Sequence, residues 1–153
     1  MNFDGKLVLD RTCPEVWDFL LDVDRFAACV PGVQHFKKLD EHTFQGTIGA
    51  AVGPISGAFN FCASILESRP PHEMLARLEG TDSATKSKLD GKIALTLTEP
   101  SPGQTELAYN ATVGIQGRLA ILGDMILRAT ATLILEQFFV RLRAELEGKS
   151  RKT

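Results

Sequence analysis

The sequence predicts an α+β fold: a curved, seven-stranded antiparallel sheet, two short N-terminal helices, and one long C-terminal helix laid across the concave face. Three observations carry this. Apolar and polar residues alternate with period 2 in segment after segment, as half-buried strands require. The segments are separated by short proline- and glycine-rich joints, which make neighbouring strands antiparallel. From Arg118 to Glu147 there is no proline, and the apolar spacing changes to the helical period.

The elements follow in order. Phe3, Leu7 and Leu9 alternate with Asp4, Lys6 and Asp10 in a first strand. Thr12-Cys13-Pro14-Glu15 has the form of a capping box, and Cys13, Val16, Trp17 and Leu20 recur at helical spacing, so a helix is expected to about Leu21. A second short helix is expected over Asp24 to Ala28, capped by Asp22 or Asp24 and ended by Pro31-Gly32. A less regular strand falls around Val33 to Leu39. Phe44, Gly46, Ile48, Ala50 and Val52 share one face of the next. Ile55, Gly57, Phe59, Phe61, Ala63 and Ile65 share a face after Gly53-Pro54. Met74, Ala76 and Leu78 follow Pro70-Pro71; Leu89, Gly91, Ile93, Leu95 and Leu97 follow Asp82-Ser83. Leu107, Tyr109, Ala111, Val113 and Ile115 follow Pro100-Ser101-Pro102-Gly103.

A helix from Arg118 to about Glu147 would be about 44 Å long. Its first half (Leu119 to Leu127) is apolar almost all round. Its second half narrows to Leu135, Phe138, Phe139, Leu142 and Leu146, opposed by Glu136, Arg141, Arg143 and Glu145. It is the one element available to cover the sheet's apolar face. Glycines 46, 49, 57 and 91 leave room and let the sheet bend.

Composition bounds the function. At 153 residues, residues 1–147 are expected to form one domain, with 148–153 (including Lys149, Arg151 and Lys152) as a disordered tail. A net charge of −2 argues against nucleic acid, whose binders carry a basic excess. Cys13, Cys29 and Cys62 are odd in number and contain no C-x-x-C pair, so a disulfide framework and a zinc knuckle are both disfavoured; free thiols fit a reducing cytoplasm. No secretory signal or membrane-spanning apolar run is visible.

Catalytic constellations are missing from the pattern. His35, His42 and His72 form no metal-ligand spacing, and His42 and His72 fall at expected turns. No G-x-S-x-G nucleophile elbow occurs. Cys62 is expected on the polar face or an edge, and Cys29 as a small buried thiol. Neither a metal nor a cofactor is expected on this chain.

The pattern favours a cavity. Many inward positions carry small residues (Gly46, Ala50, Gly57, Ala63, Ala76, Gly91, Ala111), too small to fill the space under one helix. Phe59, Phe61, Met74, Tyr109, Met125, Ala129, Leu133 and Phe138 are the candidate lining, with Tyr109 the candidate hydrogen-bond donor to a ligand. The alternatives are simple core filling, an enzyme using His35 or Tyr109, or an interaction module presenting the apolar surface of residues 119–127.

Certain motifs make the resemblance specific. They are Pro14-Glu15-Val16-Trp17, Cys29-Val30-Pro31-Gly32, Val52-Gly53-Pro54-Ile55, Pro70-Pro71, Gly117-Arg118-Leu119-Ala120 with Gly123, and Gln137-Phe138-Phe139. Together with the element order, they resemble the helix-grip fold of the START, pollen-allergen and polyketide-cyclase superfamily. Within it, residues 1 to about 147 are similar to the G-subunit family of carbon monoxide dehydrogenase. The resemblance implies a non-catalytic accessory or carrier protein for a hydrophobic, lipid- or quinone-like ligand, serving a molybdenum hydroxylase such as carbon monoxide dehydrogenase. It also implies a cytoplasmic location with peripheral contact at the cytoplasmic face of the membrane. Some family members carry a C-terminal extension suited to anchoring, whereas this sequence stops just after the helix. The superfamily alternative is a cyclase or dehydratase using the same cavity.

Overall fold

A computed structural model describes residues 1–52, 55–82 and 86–148, with side chains described outside 50–57 and 148. The chain runs β1 (Asn2–Leu9), α1 (Cys13–Leu21), α2 (Val23–Cys29), β2 (Val33–Asp40), β3 (Thr43–Val52), β4 (Ile55–Arg69), β5 (Glu73–Asp82), β6 (Ser87–Thr98) and β7 (Thr105–Gln116). A 3-10 turn (Arg118–Leu122) and α3 (Asp124–Gly148) complete it. The seven strands form one antiparallel sheet in the order β1-β7-β6-β5-β4-β3-β2. The expected Gly53-Pro54 joint, Ser83 and the tail from Lys149 lie outside the described residues.

Local chemistry sets the helix starts. The Thr12 hydroxyl accepts from the Glu15 amide at 3.4 Å, and Glu15 Oε1 accepts from the Thr12 amide at 3.2 Å, completing the capping box. Asp22 both ends α1 and caps α2, accepting from the Arg25 amide at 3.3 Å. The second helix therefore starts a residue earlier than expected.

The C-terminal helix differs from expectation. It does not begin at Arg118: a five-residue 3-10 turn comes first, and α3 starts at Asp124 and runs for 25 residues, about 37 Å. The break falls at Gly123, which sits at φ +87, outside the helical region and open to glycine because it lacks a Cβ. The break lets the turn face the sheet while α3 sets off in a new direction.

Strand register places the inward residues opposite one another. Phe61 faces Gly46 across β3–β4 and Gly80 across β4–β5; Ala63 faces Phe44 and Leu78. A bulge between Ile65 and Glu67 bends the long β4 strand. The main core lies at the α1 end, where Leu9, Val16, Phe19, Leu97, Leu107 and Leu142 are at most 2% exposed. A much smaller buried pair, Leu119 and Leu127, sits at the other end, supported by Met1, Phe59, Ile115 and Leu122. Cys29 is buried and Cys62 partly so.

Candidate functional site: an apolar cavity

Between the two cores the sheet and α3 leave a cavity of about 450 Å³. This is within the size range of small-molecule sites, roughly 300–1,000 Å³. Its floor is the inward face of the sheet, including Phe44, Ile48, Phe59, Phe61, Ala63 and Ile65 from β3 and β4. Met74, Ala76, Leu78, Ile93, Leu95 and Ile115 extend it across β5 to β7. One wall is Leu20, Leu21, Val23, Phe26, Val30 and Phe36. The roof is Leu119, Leu127, Thr130, Ala131 and Ile134.

The space exists because small residues oppose the roof. Ala63, Ala76 and Gly80 on the sheet and Ala131 on α3 leave a gap that neighbouring large side chains do not reach. Aromatic rings cluster on one side: Phe36 lies 5.8 Å from Phe26, 6.1 Å from Phe44 and 5.6 Å from Phe61, centroid to centroid. Rings at these separations hold one another in place, so this wall is preorganised.

Polar groups are few. Thr130 is buried, and its hydroxyl donates to the Ile126 carbonyl at 2.9 Å, which satisfies it within its own helix. Ser64 is half-buried. Arg77 and Lys88 border the cavity but are exposed; Arg77 is held by Glu79 at 3.1 Å and Asp90 at 3.3 Å. The cavity can therefore bind by excluding water from hydrocarbon. Among the described residues it presents no inward carboxylate, imidazole or thiol. On the outer face of the sheet a groove of about 540 Å³ is bordered by the same Arg77 cluster. It is charged and faces solvent.

Of the candidate lining residues, Phe59, Phe61 and Met74 line the cavity. Phe138 points inward but packs at 5.3 Å on Phe26 and 5.5 Å on Phe139, beside the main core. Tyr109 also packs there, 5.2 Å from Phe139; burial, and then the Asp4 carboxylate, push its phenol up from the ordinary range. Met125 (85% exposed), Ala129 and Leu133 (46% exposed) lie on the outward face of α3. The roof is formed instead by Leu127, Thr130, Ala131 and Ile134. A helix apolar all round gives no phase of its own. The phase was present further along: counting back from Leu146, Leu142 and Phe138 by the helical repeat lands on Ile134, Ala131 and Leu127. Phe26, Val30 and Phe36 were missed because their segments are short and irregular.

His35, His42 and His72 are all exposed and outside the lining. Among the described residues no three His, Cys, Asp or Glu side chains gather as metal ligands, and no helix is long and apolar enough to cross a membrane.

A curved antiparallel sheet gripping one C-terminal helix over an apolar cavity defines a START-like, helix-grip protein. Solved structures agree on the fold. A conserved protein from Geobacillus kaustophilus superposes with a TM-score of 0.90 at 20% identity, covering 97% of this chain and 96% of that one. A START superfamily protein from Mycobacterium smegmatis gives 0.73 at 10% identity, covering 96% and 97%. A protein from Chromobacterium violaceum gives 0.72 at 18%, covering 95% and 97%. No curated protein matches by sequence. The family is nonetheless defined: the model of CoxG, the G subunit of carbon monoxide dehydrogenase, matches residues 5–147, and the chain belongs to that family. Family and fold together suggest a ligand-binding accessory protein.

Proposed function

We propose that this protein is a non-catalytic carrier that holds a hydrophobic, lipid- or quinone-like molecule in its cavity and serves a molybdenum hydroxylase such as carbon monoxide dehydrogenase. The observation that carries the proposal is the 450 Å³ apolar void itself. The lining is almost wholly hydrocarbon, so an apolar occupant removes that surface and its own from water, at about 25 cal/mol per Å² before association costs. The aromatic wall at Phe26, Phe36, Phe44 and Phe61 suits a planar ring, and the aliphatic remainder suits a chain. Membership of the family supports a partner of that class, and the free cysteines fit the cytoplasm.

The test is extraction of gently purified protein with organic solvent, followed by mass spectrometry. A stoichiometric apolar compound, absent from an Ala131→Trp variant that retains the fold, is the expected result. Protein that is empty and takes up no apolar probe overturns the proposal.

A second reading concerns contact. Ile121, in the turn before α3 (82% exposed), and Met125, in its first turn, are exposed apolar side chains. They suit docking on the partner enzyme or peripheral contact with the cytoplasmic face of a membrane. Ile121→Glu and Met125→Glu should abolish such contact and leave ligand content unchanged. The cyclase or dehydratase reading is weaker, because it needs a titratable group against the ligand and the described lining offers only Arg77 and Lys88, both at the border.

A further inference from the structure

We propose that the outward face of α3 is the interface with a second copy of this chain, packed antiparallel across a two-fold axis. This interface is independent of the carrier reading. A helix that covers a sheet ordinarily turns a charged face to water. The outward face of α3 is instead largely apolar: Met125, Leu133 and Val140 are 85%, 46% and 70% exposed, and Ile126, Ala129 and Ala144 are exposed beside them. At about 100° per residue, Met125, Ala129, Leu133, Glu136 and Val140 fall within about 40° of one line along the helix. They recur at three- and four-residue spacing, as the seam of a helix pair does. Among the described residues, α3 is packed by α2 and by the sheet, and this line is left exposed. Leu127, Thr130, Ala131 and Ile134 keep the cavity on the opposite face, so pairing along the stripe leaves the cavity intact.

Position and charge select a second copy as the occupant. An interface across a two-fold axis must be complementary to itself. An axis passing between Thr132 and Leu133 sets Met125 against the partner's Val140, and Ala129 against the partner's Glu136. Large apolar side chains then meet one another, and the stem of Glu136 lies over an alanine. The same axis brings Glu136 within one helical residue of the partner's Arg128, and it does so twice. Both residues lie on the β1 side of the stripe's midline, and the two-fold axis keeps them on one side of the seam. Arg128 is already held in place: its Nη1 donates to the Asn2 carbonyl at 2.8 Å, and its guanidinium stands 5.1 Å from the centroid of the Phe3 ring. Within one chain Glu136 and Arg128 are too far apart along the helix to pair. A parallel pair in register would instead set Glu136 against its own copy and align the two helix dipoles. The stripe from Met125 to Val140 is about 22 Å long. Such a contact falls at the small end of specific interfaces, near about 1,200 Å², so the dimer is expected to form at roughly micromolar concentration.

Sedimentation velocity of the wild-type protein from about 1 to 300 μM is the test, and a concentration-dependent dimer is the expected result. Val140→Glu, at an exposed position where circular dichroism should stay native, should weaken it at least about a hundredfold, because the symmetry buries two carboxylates. Ile121→Glu, on the turn outside the stripe, should leave it unchanged. Charge reversal reads the pairing: Glu136→Arg and Arg128→Glu, each folded, should be monomers alone and dimerise when mixed. Orientation is read by Met125→Cys and Val140→Cys, each in a Cys62→Ser background. On oxidation they should cross-link to one another and not to themselves; self-cross-linking alone rejects the antiparallel pair. A dimer that Val140→Glu leaves intact overturns the proposal, and so does a wild-type monomer throughout the concentration range. If that monomer co-sediments with phosphatidylglycerol vesicles and Val140→Glu does not, the face belongs to a membrane surface and not to a second copy.

Discussion

Arg143 on α3 donates from Nη2 to the Val8 carbonyl of β1 at 2.9 Å, across 135 residues of sequence. Arg128, fifteen residues earlier on the same helix, does the same to the Asn2 carbonyl at 2.8 Å. β1 is the outer strand of the sheet, paired on one side by β7. The two guanidinium groups therefore clamp the helix along the strand's unpaired edge and occupy carbonyls that would otherwise template another strand. Each charge-assisted bond is worth on the order of 1 kcal/mol at this exposure. Arg128→Ala/Arg143→Ala should lower stability by about 2 kcal/mol, near the sum of the single variants. Urea denaturation checks this; a double variant as stable as the wild type would show that the clamp contributes nothing.

The two faces of α3 give a second prediction. Ala131→Trp places an indole in the cavity roof and should abolish apolar-probe binding while the far-ultraviolet circular dichroism stays native. Ala129→Trp, two residues away but outward, should bind normally, and so should Tyr109→Phe, because Tyr109 packs on Phe139 outside the lining. The reverse pattern would place the cavity on the wrong side of the helix.

Cys29 gives a pH prediction. Burial, and then the nearby Glu145 carboxylate, push its thiol up to about 11 from 9.0. The unfolded chain ionises first, so Cys29's contribution to stability is intact below pH 9 and falls as pH rises toward 11. The loss is on the order of 2 kcal/mol. Cys29→Ala should flatten that part of the stability–pH curve. At about pH 8 a thiol reagent should label native protein at Cys62 and spare Cys13 and Cys29, which are at most 1% exposed.

Gly46 tests how closely β2 and β3 approach. A Cβ built there would collide with the His35 carbonyl and lie 2.8 Å from the Phe61 ring. Gly46→Ala should therefore destabilise by roughly 1–3 kcal/mol through overpacking. It should also weaken probe binding, because Phe61 is displaced into the cavity. Thermal melting and probe titration read the two effects separately.

Much of this was legible in the amino-acid order. The strand faces were readable because alternation is local and a one-residue slip would turn every apolar side chain outward. Thr12 and Glu15 announced the start of α1 because capping chemistry is completed within four residues, while the choice between Asp22 and Asp24 as the cap of α2 fell to Asp22 only in the fold. Phe59, Phe61 and Met74 reached the cavity for the same local reason.

What the sequence determined, then, was the set of elements, their order, their apolar faces and the shortage of bulk beneath the helix. Each depends on neighbours a few residues apart. Tertiary structure decided the rest. Residues 119–127 are apolar on almost every side, so only packing against the sheet selected Leu119 and Leu127 for the interior and left Ile121 and Met125 outside. Whether the chain broke at Gly123 was likewise settled by where the preceding turn had to sit, since glycine permits the helical and the positive-φ conformation alike. The cavity is the gap between surfaces contributed by residues up to 114 positions apart, Leu20 to Ile134, and no stretch of sequence encodes its volume.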